Sequence, residues 1–226
     1  MRNRKPCAAF FDLDNTLIQG SSLYYFFKGL VDFKLVSKKQ ILHFAFENFR
    51  FVRSKTENSA SMARIGQKAL NLVAGRSHLH LVEACEAIVE SFLTSKLNHH
   101  VLERVQEHKL LGHDTWLVTA APMEIAEAVS RQIGMTGGLG TRSEITDGKF
   151  SGKLINEMLH GVHKARVVQD LSQKHNYDLQ RSFAYSDSVN DLPMLLSVGN
   201  PLVVNPNEEL ARIARKNSWV ELTRVA

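Results

Sequence analysis

Two carboxylates separated by a single residue, Asp12 and Asp14 in the run Phe11-Asp12-Leu13-Asp14-Asn15-Thr16, are the first residues in the chain whose types and spacing suit chemistry. Three further groups follow in order. Thr119 stands in Leu117-Val118-Thr119-Ala120-Ala121-Pro122, Lys164 opens a later helical pattern, and Asp187 and Asp191 lie in Ser186-Asp187-Ser188-Val189-Asn190-Asp191. Together they amount to a nucleophile, an acid/base, a hydroxyl donor, a fixed cation and oxygen ligands for a hard metal ion. Phosphoryl transfer through a covalent aspartyl-phosphate needs those parts.

The expected roles follow from the chemistry. Asp12 attacks phosphorus in line, while Asp14 protonates the leaving alkoxide and later deprotonates the attacking water. One carboxylate cannot easily serve as both nucleophile and acid, which is why a pair at i, i+2 matters. Asp12, Asp187 and Asp191 in one pocket repel each other, and Mg²⁺ relieves that by accepting oxygen ligands octahedrally while keeping waters. The expected ligands are the Asp12 carboxylate, the Asp14 backbone carbonyl and Asp187. Asp191, one helical turn on, is expected as an outer partner acting through water or a neighbouring ligand. Thr119 donates its hydroxyl to a phosphoryl oxygen, joined by the backbone N–H of Ala120 at the mouth of the next helix. Lys164 neutralises the phosphoryl charge and orients Asp12. Each piece alone has a plainer explanation: a turn, a helix cap, a solvated lysine, an exposed helix start. Their joint occurrence in this order gives the reading its weight.

The elements that must position these residues read as follows. Cys7–Asp12 is short, apolar and followed by turn residues, which suits a buried parallel strand. From Gly20 to Ser95 the apolar residues fall at helical spacing: Leu23, Phe26, Phe27 and Leu30, then Ile41, Leu42, Phe44, Ala45 and Phe49, then Met62, Ile65, Ala69, Leu72 and Val73, then Leu81, Ala84, Cys85, Ile88 and Phe92. Ser21 or Ser22 is the expected N-cap of the first of these helices. After Ser95 a β/α rhythm sets in: a helix over His99–Leu111, a strand over Thr115–Thr119, a helix over Met123–Ile133 and a strand near Leu139–Thr141. Asp147-Gly148 signals a hairpin turn within Glu144–Leu154. Helices over Val162–His175, Asp191–Val198 and Glu208–Lys216 alternate with strands over Ser182–Tyr185, Pro201–Val204 and Trp219–Leu222. The expected fold is α/β, a doubly wound (Rossmann-like) parallel sheet built from 1–19 and 96–226, with an all-helical domain, 20–95, inserted after the first strand. Asp12, Thr119 and Asp187 then fall at or just beyond strand ends, where such sheets gather their functional groups.

Composition sets the outer bounds. Hydrophobic residues at 44% and charged ones at 23% of 226 residues are ordinary for a globular protein with a substantial core. Only Cys7 and Cys85 are present, so no disulfide framework is expected, and Cys7 reads as core packing. The apolar run Cys7–Phe11 is too short for a signal peptide, and no stretch has the length of a membrane span, so the expected location is the cytoplasm. The net charge of +5 is uneven, with ten Lys/Arg against three acidic residues between Lys28 and Arg76. A solvated helical face explains this first and steering of anionic substrates second; no recognition motif points to nucleic acid. His78-Leu79-His80 and His99-His100 lack zinc-ligand companions and read as surface or helix-end residues. His160 and His163 read as loop residues beside Lys164. Gly137-Gly138 and Gly140 lack the context of a phosphate-cradling loop, and Trp116 and Trp219 read as packing in strands.

The four motifs, the helical insert, and the tail Gly199-Asn200-Pro201-Leu202-Val203-Val204-Asn205-Pro206 resemble the haloacid dehalogenase superfamily of phosphohydrolases, in its phosphoserine-phosphatase-like branch. Tyr185-Ser186-Asp187-Ser188-Val189-Asn190-Asp191-Leu192-Pro193 is the most specific part of the resemblance. It implies a Mg²⁺-dependent phosphatase acting on a small-molecule phosphomonoester, with the roles given above, the helical domain as a cap, and Asn190 at a position that helps bind phosphate or substrate. Phosphoserine phosphatases carry a Glu shortly after the first motif for the substrate amine, whereas this chain reads Gln19-Gly20-Ser21-Ser22. Ser21 and Ser22 are therefore the candidate substrate contacts on that side, and Arg64 or Lys68 the candidate stand-ins for the cap arginine. Thr119-Ala120-Ala121 also replaces the family's usual Ser-Gly-Gly. A phosphomonoester other than phosphoserine, with a bulkier or more apolar leaving group, is the expected substrate. A phosphotransferase or mutase using the same intermediate is the alternative. The inserted helices and the late Asp187–Asp191 pair argue against a signalling receiver, and Asp14 argues against carbon–halogen chemistry.

Overall fold

The computed structural model describes residues 5–34, 36, 37, 39, 66, 67 and 70–222. The periodic segments around Ile41–Phe49 and Met62–Ile65, and both Arg64 and Lys68, lie outside the described residues. Among the described residues no helix is long and apolar enough to cross a membrane.

Six parallel strands form the central sheet. β1 is Ala8–Phe11, β2 Asp114–Pro122, β3 Gly137–Thr141, β6 Phe183–Ser186, β7 Asn200–Val204 and β8 Val220–Leu222. Their spatial order is β3-β2-β1-β6-β7-β8, with every neighbouring pair parallel. The chain therefore starts in the middle, winds outward to β3, and returns to the other side of β1 at β6. That reversal beside β1 is where an open α/β sheet leaves a crevice at the carboxyl ends of its strands. A separate antiparallel hairpin joins β4 (Ser143–Thr146) to β5 (Lys149–Leu154) through Asp147 and Gly148, both with positive φ, as the Asp-Gly signal predicts.

Period-two alternation in β1 explains the two layers of helices. Ala9 and Phe11 enter a core with residues of α1 (Ser22–Asp32), α2 (His78–Lys96), α3 (His99–Leu110) and α4 (Met123–Gln132). Ala8 and Phe10 enter the opposite core with α5 (Val162–His175), α6 (Leu192–Leu195) and α7 (Glu208–Lys216). Cys7 and Cys85 are buried and free, and Trp116 and Trp219 pack against the second core.

Two boundaries differ from the sequence reading for physical reasons. β2 runs to Pro122 instead of ending at Thr119, because the pairing with β3 shifts register between Val118 and Pro122 and picks up again at Thr141. The expected helix over Asp191–Val198 is shorter: a 3₁₀ turn at Val189–Asp191 leads into four residues of α6.

The glycines of β3 have a packing role. A Cβ on Gly138 would collide with the Ala126 carbonyl of α4, and one on Gly140 would meet the Ala121 and Met123 backbone. Their bare backbone lets α4 lie directly on the sheet just after Thr119. Gly138→Ala is expected to cost roughly 1–3 kcal/mol, as overpacking a rigid contact does, and to lower the urea unfolding midpoint; an unchanged midpoint would show that α4 can shift freely.

Candidate active site

Asp12 follows the last residue of β1, and its N–H donates to the Tyr185 carbonyl of β6 at 3.0 Å. Leu13, Leu17 and Ile18 are fully buried, so apolar anchors pin the loop that carries Asp12 and Asp14. Lys164, in the first turn of α5, is 2% exposed. Its Nζ donates to Asp12 Oδ1 at 2.5 Å and to Asp191 Oδ2 at 2.7 Å. The Ser186 hydroxyl donates to the same Asp191 oxygen at 2.8 Å. Asp187, one residue beyond β6, accepts from the Thr16 hydroxyl through Oδ1 at 3.3 Å. Asp12, Lys164, Asp187 and Asp191 are thus gathered at one end of the sheet, between β1 and β6. Ser186 and Thr16 hold this cluster in place; both stand inside the quoted motifs, yet spacing alone gave neither a task.

Asp14 sits apart from that ion-pair network. Its Oδ1 accepts from the N–H of Ser22, the first residue of α1, at 2.8 Å. Asp14 therefore supplies the anion at the α1 N-terminus, and Ser21 occupies the N-cap position without a side-chain bond to the helix. Ser21, Ser22, Asp14 and Ala120 line one cavity. Thr119 is buried; its oxygen accepts from the Ala121 N–H at 3.1 Å, leaving the hydroxyl proton available to a ligand. Ala120 lies three residues before α4, inside the irregular end of β2, and not at the helix mouth. The Asn190 N–H donates to Ser188 Oγ at 3.3 Å within the turn before α6.

Electrostatics follow from burying several carboxylates around one ammonium. Burial pushes Asp12 up to about 8, Asp191 and Asp14 add to the effect, and Lys164 opposes it. Asp187 is pushed up to about 6 by burial, with Asp191 adding to the rise and its own backbone N–H, the Thr16 hydroxyl and Lys164 opposing. Burial likewise raises Asp14, against the neighbouring Ser22 groups. For Lys164 burial is outweighed by Asp12 and Asp191, so its pKa lies above the ordinary lysine value and the ammonium keeps its charge. The carboxylates carry the imbalance.

A divalent cation fits that imbalance. Among the described residues no three His, Cys, Asp or Glu side chains form a metal-ligand group. The donor set expected for Mg²⁺ needs none, since it combines two carboxylates (Asp12, Asp187) with the Asp14 backbone carbonyl and leaves the other positions to water and phosphate. Asp191 is committed to Lys164 and Ser186, in keeping with a role outside the ligand set.

Residues 9–196 match the family model described as haloacid dehalogenase-like hydrolase. A putative hydrolase of Mycobacterium leprae is 41% identical over 94% of this chain and 71% of its own length. A phosphoserine phosphatase of Mycobacterium tuberculosis is also 41% identical, over 94% of this chain and 69% of its own. A solved protein of unknown function from Bordetella pertussis shares the fold with a TM-score of 0.82 at 24% identity, covering 97% of this chain and 99% of that one. The chain belongs to the haloacid dehalogenase-like hydrolases, and its relatives mark it as a phosphoric monoester hydrolase of that family.

The raised carboxyls carry a stability consequence. A carboxyl whose folded pKa exceeds its unfolded value takes up a proton on folding, so its contribution is present below about pH 4 and is lost as pH rises through the folded pKa. In EDTA, Asp187→Asn is therefore expected to be more stable than the parent at pH 7, by roughly 1–3 kcal/mol. The advantage should shrink as pH falls from about 6 toward 4. Urea unfolding across that range measures it, and a parent more stable than the variant at pH 7 would contradict the assignment.

Proposed function

We propose that the protein hydrolyses a small-molecule phosphomonoester through a covalent phosphate on Asp12, with Mg²⁺ as cofactor. The observation that carries this reading is the buried Lys164 ammonium bridging Asp12 and Asp191 at the sheet's switch point. Lys164 fixes the Asp12 carboxylate and supplies positive charge where phosphoryl oxygens gather. An Asp12 oxygen forms the new bond to phosphorus as the ester O–P bond breaks. The leaving alkoxide takes its proton from Asp14, whose raised pKa makes the protonated form accessible. Water then attacks the aspartyl-phosphate while Asp14 takes its proton back, releasing inorganic phosphate and restoring the Asp12 carboxylate. Thr119, the Ala120 N–H and Asn190 supply hydrogen bonds to the phosphoryl group. Mg²⁺, held by Asp12, the Asp14 carbonyl and Asp187, supplies Lewis-acid charge when bound.

The substrate class draws support from relatives named as phosphatases of small phosphate esters, including a histidinol-phosphatase of Neisseria meningitidis that is 28% identical over 93% of this chain. We further propose that segment 20–95 acts as a helical cap over the core formed by 1–19 and 96–226. Such a lid excludes bulk water during the attack on phosphorus and readmits it for hydrolysis. We place the protein in the cytoplasm.

An aryl phosphate should be turned over with Mg²⁺ and not with EDTA. Asp12→Asn should abolish turnover, and Asp14→Asn should slow it by roughly 10²–10⁴-fold, as loss of a general acid does. Independently of activity, Mg²⁺ should raise the unfolding midpoint of the parent in a concentration-dependent way and barely affect Asp187→Asn. Equal stabilisation of both proteins would remove Asp187 from the metal site.

A further inference from the structure

Thr141, the last residue of β3, makes two hydrogen bonds that the phosphoryl-transfer roles leave unexplained. Its hydroxyl donates to the Ala120 carbonyl at 2.7 Å and accepts from the Leu159 N–H at 3.1 Å. The residue is 8% exposed. Leu159 is anchored in the second core and lies in the segment before α5, the helix that carries Lys164. One side chain thus ties the end of β2 that bears Thr119 to the segment leading into the lysine helix.

The interrupted pairing of β2 with β3 explains why a side chain is needed there. Val118 stands opposite Leu139 and Pro122 opposite Thr141, so Thr119, Ala120 and Ala121 face Gly140 alone. Gly140 directs its own N–H to the Met123 sulfur at 3.2 Å. A bulge of this kind re-aims backbone groups, and the buried carbonyls within it still require donors. For Ala120 the Thr141 hydroxyl is such a donor. The consequence reaches Thr119 through one peptide plane. The Ala120 C=O and the Ala121 N–H belong to the same trans peptide and point opposite ways. Thr141 holds the first, and Thr119 Oγ1 accepts the second at 3.1 Å. With that N–H on its oxygen, the Thr119 hydroxyl is turned so that its proton faces a ligand. Thr141 has no donor to spare, since its single proton is on Ala120. It therefore acts on a phosphoryl group through the peptide it holds.

We propose that Thr141 is a positioning residue: by fixing the Ala120–Ala121 peptide, its hydroxyl aims the Thr119 hydroxyl and the Ala120 N–H at the transferring phosphoryl group. This rests on the phosphatase reading above and deepens it.

Thr141→Val keeps the side-chain shape and removes the hydroxyl, whereas Thr141→Ser keeps the hydroxyl. With an aryl phosphate and Mg²⁺, Thr141→Val should lower kcat by roughly tenfold to a hundredfold, the scale of a displaced reacting contact, with KM little changed. Inhibition by orthovanadate, which adopts the five-coordinate geometry of the transferring phosphorus, should weaken by a similar factor. Thr141→Ser should restore both. A threonine that serves packing alone would lower the urea midpoint and leave kcat and orthovanadate affinity as in the parent, and that result would overturn the proposal. So would a serine variant no better than the valine one. Where the valine variant does not fold, Thr141→Ala against Thr141→Ser is read in the same way. A parent that does not turn over the aryl phosphate means that the catalytic reading has failed. Calorimetric binding of orthovanadate in Mg²⁺ then decides: weaker binding by the variant than by the parent supports the role of Thr141, and equal binding, or binding by neither, refutes it.

Discussion

A lysine ammonium buried between two aspartates is the constraint around which the rest of the site is arranged. Lys164 occupies the first turn of α5, where the helix dipole presents positive potential and a cation is disfavoured. Its side chain is also removed from water, a second cost. Both are offset only because Asp12 and Asp191 receive the same Nζ. Those partners lie 152 and 27 residues away in sequence, so the bridge forms only after β1, β6 and α5 have assembled. The parallel pairing of β1 with β6 brings Asp12 beside the Ser186–Asp191 turn, and Ser186 then fixes the face of Asp191 that meets the lysine.

One ammonium does not balance the carboxylates grouped around it, and the fold leaves the difference to be met from outside. Burial first, and the neighbouring Asp191 carboxylate after it, raise Asp12 and Asp187 above free aspartate. Perturbation of this kind concentrates at functional sites because a binding or reacting group is what relieves it. The cluster sits at the strand ends beside the sheet's reversal, where a metal ion and phosphate would relieve it.

Much of this was legible in the sequence, and the gaps have physical causes. The β/α alternation after Ser95 specified a doubly wound sheet, and Asp147-Gly148 specified its hairpin, because both signals are local. Lys164 was found through its place among motifs, although a lysine in a first helical turn is ordinarily solvated; burial became visible only in three dimensions. The end of β2 was misplaced because a register shift against β3 is a property of the pair of strands and leaves no mark in Thr119-Ala120-Ala121. The burial of Glu124 leaves no mark in the sequence, because a glutamate in a first helical turn is also what the helix dipole favours. His78 reads as a helix-end residue and is one, but its ring also faces Glu124 across 46 residues of sequence, between two elements whose contact no spacing rule predicts.

Asp14 joins the two halves of the site. Its carboxylate accepts the Ser22 N–H and so helps seat the first turn of α1, while the acid/base role proposed for it requires it to hold and release a proton. A charged carboxylate is the better acceptor for a helix N-terminus, by the same interaction that opposes the rise in its pKa. Protonation of Asp14 therefore weakens the hold on α1, and loosening of α1 makes Asp14 easier to protonate, since coupling of this kind is reciprocal. Ser22 stands at that junction, its N–H held by Asp14 at the first residue of α1.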